Sequence, residues 1–229
     1  MSNQPAHPVL AFDVYGTLLD PLRMEEHLRA AFGAKAKEAS ELWRAKQLEY
    51  SFRRALMKKY RDSDACTADA LRFVSLQLAT PLSEGVEATL LSKYRELPAY
   101  ADAVGALSEL AAREFTIVAC SNGTENSVRA ALDHAGVLAR FSMIVSVDPI
   151  RTFKPDPAVY DRLALEVHTP KEQIWLISSN AFDVIGAKAC GLRTAWVRRD
   201  LKRAFDPWEF EPDFIVHGLE ELPDALNRR

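Results

Sequence analysis

Six short apolar runs recur along the 229-residue chain: VLAF (9–12), FTIVAC (115–120), MIVSV (143–147), IWLIS (174–178), TAWV (194–197) and FIV (214–216). Runs that are apolar on both faces suit strands covered on both sides, as in a parallel sheet, whereas a sheet with one wet face would alternate. Amphipathic stretches lie between them at 127–137, 157–167 and 182–191, and Gly136 and Gly191 close two of these where a left-handed cap is favoured. Strand alternating with helix predicts an α/β fold, a doubly wound parallel sheet with a Rossmann-like core.

One interval breaks this rhythm. Between Leu22 and Leu97 glycine and proline are reduced to Gly33, Pro81 and Gly85, so the block reads as helical. Leu42, Ala45, Leu48, Phe52, Ala55 and Leu56 recur at helical steps and predict one apolar stripe on a helix of about five turns. Further helices are expected at roughly 67–79 and 83–95. The resulting division is a catalytic core from 1–20 and 98–229, with a helical cap domain, 21–97, inserted after the first strand.

Lys plus Arg total 29 against 32 Asp plus Glu, a net charge of −3, so neither nucleic acid nor a membrane surface is expected as a partner. No apolar run approaches the ~18 residues of a membrane span. The N-terminal MSNQPAHPVLAFDVYG has no basic leader and meets Asp13 early, so it reads as neither signal peptide nor anchor. Cys66, Cys120 and Cys190 show no CxxC spacing and suit reduced thiols in a cytoplasmic protein. His7, His27, His134, His168 and His217 pair with no acid or cysteine at ligand spacing and read as surface or core residues.

In an open α/β sheet, reactive groups collect at the carboxyl ends of the strands. The first run is followed by Asp13-Val14-Tyr15-Gly16-Thr17 and the second by Ser121-Asn122-Gly123; Lys154-Pro155 comes a few residues after the third, and the fourth leads into Ser179-Asn180 and Asp183. Each alone is more often a cap or turn residue. Four together, in order, point to a site.

FDVYGTLLD (12–20), CSNG (120–123), FKPDPAVY (153–160) and SSNAFD (178–183) resemble the four motifs of the haloacid dehalogenase superfamily, and in particular its (S)-2-haloacid (L-2-haloacid) dehalogenase branch. WRAKQLEYSFRRALM (43–57) is similar to that branch's cap helix. The resemblance implies that Asp13 is the nucleophile, with Thr17 in the same catalytic set and Lys154 beside it. It implies Asp183 as the base that activates water, oriented by Ser178 and Asn180, and Tyr160 as a supporting residue. Substrate would be bound by Ser121, Asn122, Arg44 and the backbone amides near Val14 and Tyr15. Arg44, Asn122 and Phe182 would form the halide pocket, with Phe182 standing where relatives carry another aromatic. Cys120, in an apolar strand, reads as a packing residue.

Phosphatase members of the superfamily carry an acid two residues after the nucleophile and another that ligates magnesium; here those positions hold Tyr15 and Ser179. A halide needs no proton to leave, so neither acid nor metal is required, and no cofactor is expected. The implied reaction converts short L-2-haloalkanoic acids and water to D-2-hydroxy acids through an aspartyl ester. A superfamily phosphatase and a catalytically silent ligand-binding member are the alternatives. A homodimer is a family expectation, and the preferred halogen is left open.

Overall fold

The structure, a computed structural model, describes residues 8–228; His7 and the six residues before it lie outside them. All six apolar runs become strands, β1 (Val9–Phe12), β2 (Thr116–Ser121), β3 (Met143–Ser146), β4 (Ile174–Ser178), β5 (Arg193–Val197) and β6 (Phe214–Val216). They form one parallel sheet in the order β3-β2-β1-β4-β5-β6. β1 shows why these runs lack alternation: Leu10 and Phe12 pack into one apolar cluster, Val9 and Ala11 into another, and all four are buried. The chain builds one half of the sheet outward from β1 and then returns to add β4 on its other side. That reversal opens a crevice at the carboxyl ends of the central strands.

Four α-helices occupy residues 21–97, after β1: α1 (Met24–Phe32), α2 (Ala36–Leu56), α3 (Ser63–Gln77) and α4 (Glu84–Tyr94). Asp62 caps α3 by accepting from the Ala65 amide, and Ser83 does the same for α4 with Val86. The ends of this insertion are stitched together. Asp20 N donates to Pro98 O at 3.1 Å and Tyr100 N to Leu18 O at 2.9 Å, so the chain leaves and re-enters the core at one place.

The core adds α5 (Ala103–Ala112), α6 (Glu125–His134), α7 (Pro157–Glu166), α8 (Ala181–Ala189) and α9 (Leu222–Asn227). Gly136 and Gly191 sit at φ +72° and +88° beyond α6 and α8, the left-handed termination their sequence positions suggest. Among the described residues no helix is long and apolar enough to cross a membrane.

The expected apolar stripe of α2 is corrected. Its buried face is Ala36, Ala39, Ser40, Trp43, Gln47 and Ser51, whereas Leu42, Leu48, Phe52 and Ala55 are half-buried and Leu56 is 84% exposed. Polar Gln47 and Ser51 can turn inward because each has a partner there: Gln47 Nε2 donates to Thr67 Oγ1, and Ser51 Oγ donates to Leu48 O. Leu48, Phe52 and Ala55 line clefts instead.

Candidate active site

Asp13 leaves β1 with its amide still bonded to Ile177 O of β4, which sets the carboxylate at the mouth of the crevice. The turn that follows needs Gly16 at φ +95°, and its tightness brings Thr17 back onto Asp13. Asp13 Oδ2 accepts three hydrogen bonds, from Thr17 Oγ1 at 2.8 Å, Asn180 Nδ2 at 2.7 Å and Ser178 Oγ at 3.2 Å. Oδ1 faces Lys154 Nζ at the longer distance of 3.3 Å. One carboxylate oxygen is thus held in a cradle of neutral donors, and the other is more loosely engaged beside a cation.

Lys154 is 1% exposed and donates to Asp183 Oδ2 at 2.7 Å and Cys120 O at 2.8 Å. Burial works against its charge, but Asp183, Cys120 and Asp13 outweigh it and hold the lysine above its ordinary value, so it is an ammonium. Asp183 is fully buried, and Tyr160 OH donates to its Oδ1 at 2.8 Å. Burial pushes its carboxyl up to about 6; Lys154 opposes this and Asp13 adds to it. Burial likewise pushes the Cys120 thiol up to about 11, leaving it neutral and consistent with packing.

The cavity in front of Asp13 is lined by Tyr15, Ser121, Asn122 and Asn180 from the core and by Arg44 from α2, with Phe182 at one edge. Arg44 reaches across from α2, its Nη2 donating to Tyr15 O at 2.9 Å. Phe182 meets Phe52 edge-on, with ring centroids 5.0 Å apart. Asn122 Oδ1 accepts from the Lys154 amide at 2.8 Å, which ties the motif after β2 to the lysine loop. Thr17, Lys154, Tyr160, Ser178 and Asp183 lie behind Asp13 rather than on the cavity wall. The Val14 side chain is apart from both groups, fully buried in the core, and the Val14 carbonyl collects the amides of Thr17, Leu18 and Leu19.

Sequence reasoning missed Gln47. Its Oε1 accepts from Arg44 Nη1 at 2.7 Å and from Tyr94 OH at 2.8 Å, so it aims the guanidinium. A glutamine one turn after the arginine, on the face opposite the obvious leucines, was the available signal. Asp64 and Arg95, which also line the cavity, gave none, because both stand in ordinary charged stretches.

This arrangement sets the Asp13 carboxylate at the cavity with one cation behind it and a second across the cavity. Comparison with known proteins agrees. The family of haloacid dehalogenase-like hydrolases matches residues 7–191. The chain is 36% identical over 217 residues to (S)-2-haloacid dehalogenase of Pseudomonas sp. (strain YL), covering 95% of this chain and 93% of that protein. It is 35% identical over 213 residues to haloacetate dehalogenase H-2 of Moraxella sp. (strain B), covering 93% and 95%. The solved L-2-haloacid dehalogenase from Xanthobacter autotrophicus with chloropropionic acid covalently bound matches with a TM-score of 0.89 at 30% identity, over 96% of this chain and 98% of that one. With its motifs converged on one crevice and the family match running through most of its length, the chain belongs to the haloacid dehalogenase-like hydrolases.

Proposed function

We propose that this hydrolase removes halide from short L-2-haloalkanoic acids, giving D-2-hydroxy acids through an ester on Asp13. The observation that carries this reading is the asymmetry of the Asp13 carboxylate. Oδ1 attacks the halogen-bearing carbon, the carbon–halogen bond breaks, and its electron pair leaves with the halide toward Arg44 and Phe182. A fixed cation there stabilises charge that develops in the transition state. Ser121, the Asn122 amide and the backbone at Val14 and Tyr15 receive the substrate carboxylate.

Water then attacks the carbonyl carbon of the ester and gives one proton to Asp183. The carbon–oxygen bond to the substrate breaks, and Asp183 returns that proton to the departing oxygen to form the hydroxy acid's hydroxyl. The second water proton leaves to solvent as the Asp13 carboxylate re-forms. The three donors on Oδ2 now act as an oxyanion hole, since that oxygen becomes the ester carbonyl. Only the first step touches the substrate's stereocentre, so configuration inverts once. Thr17, Ser178 and Asn180 serve the ester, and Tyr160 holds Asp183. The stitched junction at Asp20 and Pro98 supports dividing the chain into a core and a cap, 21–97.

The donor set supports metal independence. Around Asp13 stand an ammonium, two hydroxyls and an amide N–H, and Ser179 directs its amide to Thr17 Oγ1 at 2.8 Å rather than offering an anionic oxygen. A hard divalent cation asks for anionic oxygens in that place. Three free cysteines support a reducing, cytoplasmic setting. The test is halide release from chloroacetate and from both enantiomers of 2-chloropropionate with EDTA present. Release from chloroacetate and the L enantiomer, with D-lactate from the latter, is expected. Magnesium-dependent hydrolysis of p-nitrophenyl phosphate without halide release would overturn it.

A further inference from the structure

The reaction cavity is small, about 50 Å³. One water fills roughly 10–15 Å³ of such space, so there is room for an acid of only a few heavy atoms. In the proposed reaction Asp13 takes the reacting carbon, Ser121 and Asn122 take the carboxylate, and Arg44 with Phe182 takes the halogen. The substituent on that carbon is left to face the rest of the lining, which holds apolar Leu48, Cys66 and Phe153 and, beside them, Ser63 and Asp64 at the start of α3 and Arg95 just past α4.

That last group is ionic. Asp64 Oδ2 accepts from Arg95 Nη2 at 3.1 Å and from Ser127 Oγ of α6 at 3.2 Å, which joins two cap helices and the core at one carboxylate. Its charge is felt at the Tyr15 and Tyr94 hydroxyls, whose rings stack with centroids 6.1 Å apart along the same cavity. Both charges keep contact with water, their side chains being 39% and 61% exposed.

We propose, building on the dehalogenase reading, that the Asp64–Arg95 pair selects the substituent at the substrate's C2. Hydrogen, methyl or a hydroxyl-bearing carbon is accepted, and a plain alkyl chain longer than methyl is refused. An ethyl group laid against the pair strips water from two charges and returns no hydrogen bond. A hydroxymethyl group of nearly the same size returns one, to the Asp64 carboxylate or the Ser63 hydroxyl.

The experiment compares kcat/KM for halide release from chloroacetate, L-2-chloropropionate, L-2-chlorobutyrate and L-2-chloro-3-hydroxypropionate. The expected ratio of the hydroxy acid to chlorobutyrate is about tenfold, the scale on which one misplaced group is discriminated. Asp64→Leu should invert that ratio, while Asp64→Asn, which still hydrogen-bonds, should keep it above one. Arg95→Leu, on the more exposed partner, should lower it as well and gives the reading if Asp64→Leu does not fold. A wild-type ratio at or below one, or a ratio unmoved by both leucine variants, overturns the inference while halide release stands. No halide from chloroacetate removes the dehalogenase reading itself, and the inference with it.

Discussion

Lys154 Nζ stands 2.7 Å from Asp183 Oδ2 in a pair with 1% and 0% side-chain exposure. Removing one partner of such a pair strands the other charge, at a cost of about 3–5 kcal/mol. Lys154→Met should therefore lower unfolding free energy by about that much in urea titration, because Asp183 and Asp13 are both left without their cation. The double variant Lys154→Met with Asp183→Asn should recover part of the stability and none of the activity. Equal stabilities for the single and double variants would mean that the pair is not coupled.

The pH dependence follows from the same carboxylate. Asp183 is pushed up to about 6, chiefly by burial, so it is a base above that pH and protonated below it. Ester hydrolysis should fall through an acid limb near pH 6 by about tenfold per unit, read in single-turnover assays. The linkage sign is opposite: the folded chain holds this proton more tightly than the unfolded one. The group's stability contribution is thus present below its ordinary 3.8 and lost as pH rises through about 6. A rate limb below pH 4.5 would remove Asp183 as the base.

The strands were legible because buried parallel strands are apolar throughout, and FTIVAC and IWLIS match β2 and β4 to within a residue. The core half of the site was legible too, because strand ends gather in one crevice whatever the loops do. The cap half was not. Hydrophobic periodicity points Leu42, Leu48 and Phe52 at a core, yet tertiary partners on α3 and α4 rotate α2 so that Gln47 is buried instead. Asp64 and Arg95 meet only because two helices far apart in sequence converge, and no local pattern records such a meeting.

Gln47 gives the third prediction. Gln47→Leu removes the oxygen that aims Arg44, and a displacement of about 1 Å at a reacting group costs on the order of 10²-fold. kcat should fall with KM little changed, and more for chloride than for bromide, the better leaving group. Gln47→Glu keeps an acceptor for Arg44 and should recover part of the loss. If both variants fall equally and regardless of halide, the effect is structural.

Gly186 on α8 allows the close approach of Pro155 and Tyr160. A Cβ there would stand 2.5 Å from Pro155 Cβ and 2.7 Å from the Tyr160 hydroxyl. Gly186→Ala should cost about 1–3 kcal/mol by overpacking and slow ester hydrolysis by moving Tyr160 off Asp183. Among the described residues nothing outside its own helix comes within 4 Å of the same position at Gly105 on α5, so Gly105→Ala should stabilise by up to about 1 kcal/mol. Thermal unfolding of the two variants checks the contrast, and a stabilised Gly186→Ala would show that the loop yields freely.

The division of labour between two buried carboxylates gives the last prediction. Asp13 lines the cavity, whereas Asp183 lies behind it, reached through Lys154. Asp13→Asn should therefore form no adduct, and Asp183→Asn should still be alkylated and then stall. Loss of a general base typically removes about 10² to 10⁴ in rate, enough for the ester to accumulate. Intact-protein mass spectrometry after incubation with L-2-chloropropionate should show one added propionate unit on Asp183→Asn, mapping to the peptide that contains Asp13. The three donors on Oδ2 remain in that variant, so slow breakdown rather than a permanent ester is expected. An adduct on another peptide, or wild-type turnover by Asp13→Asn without reversion to aspartate, would take the nucleophile's role from Asp13.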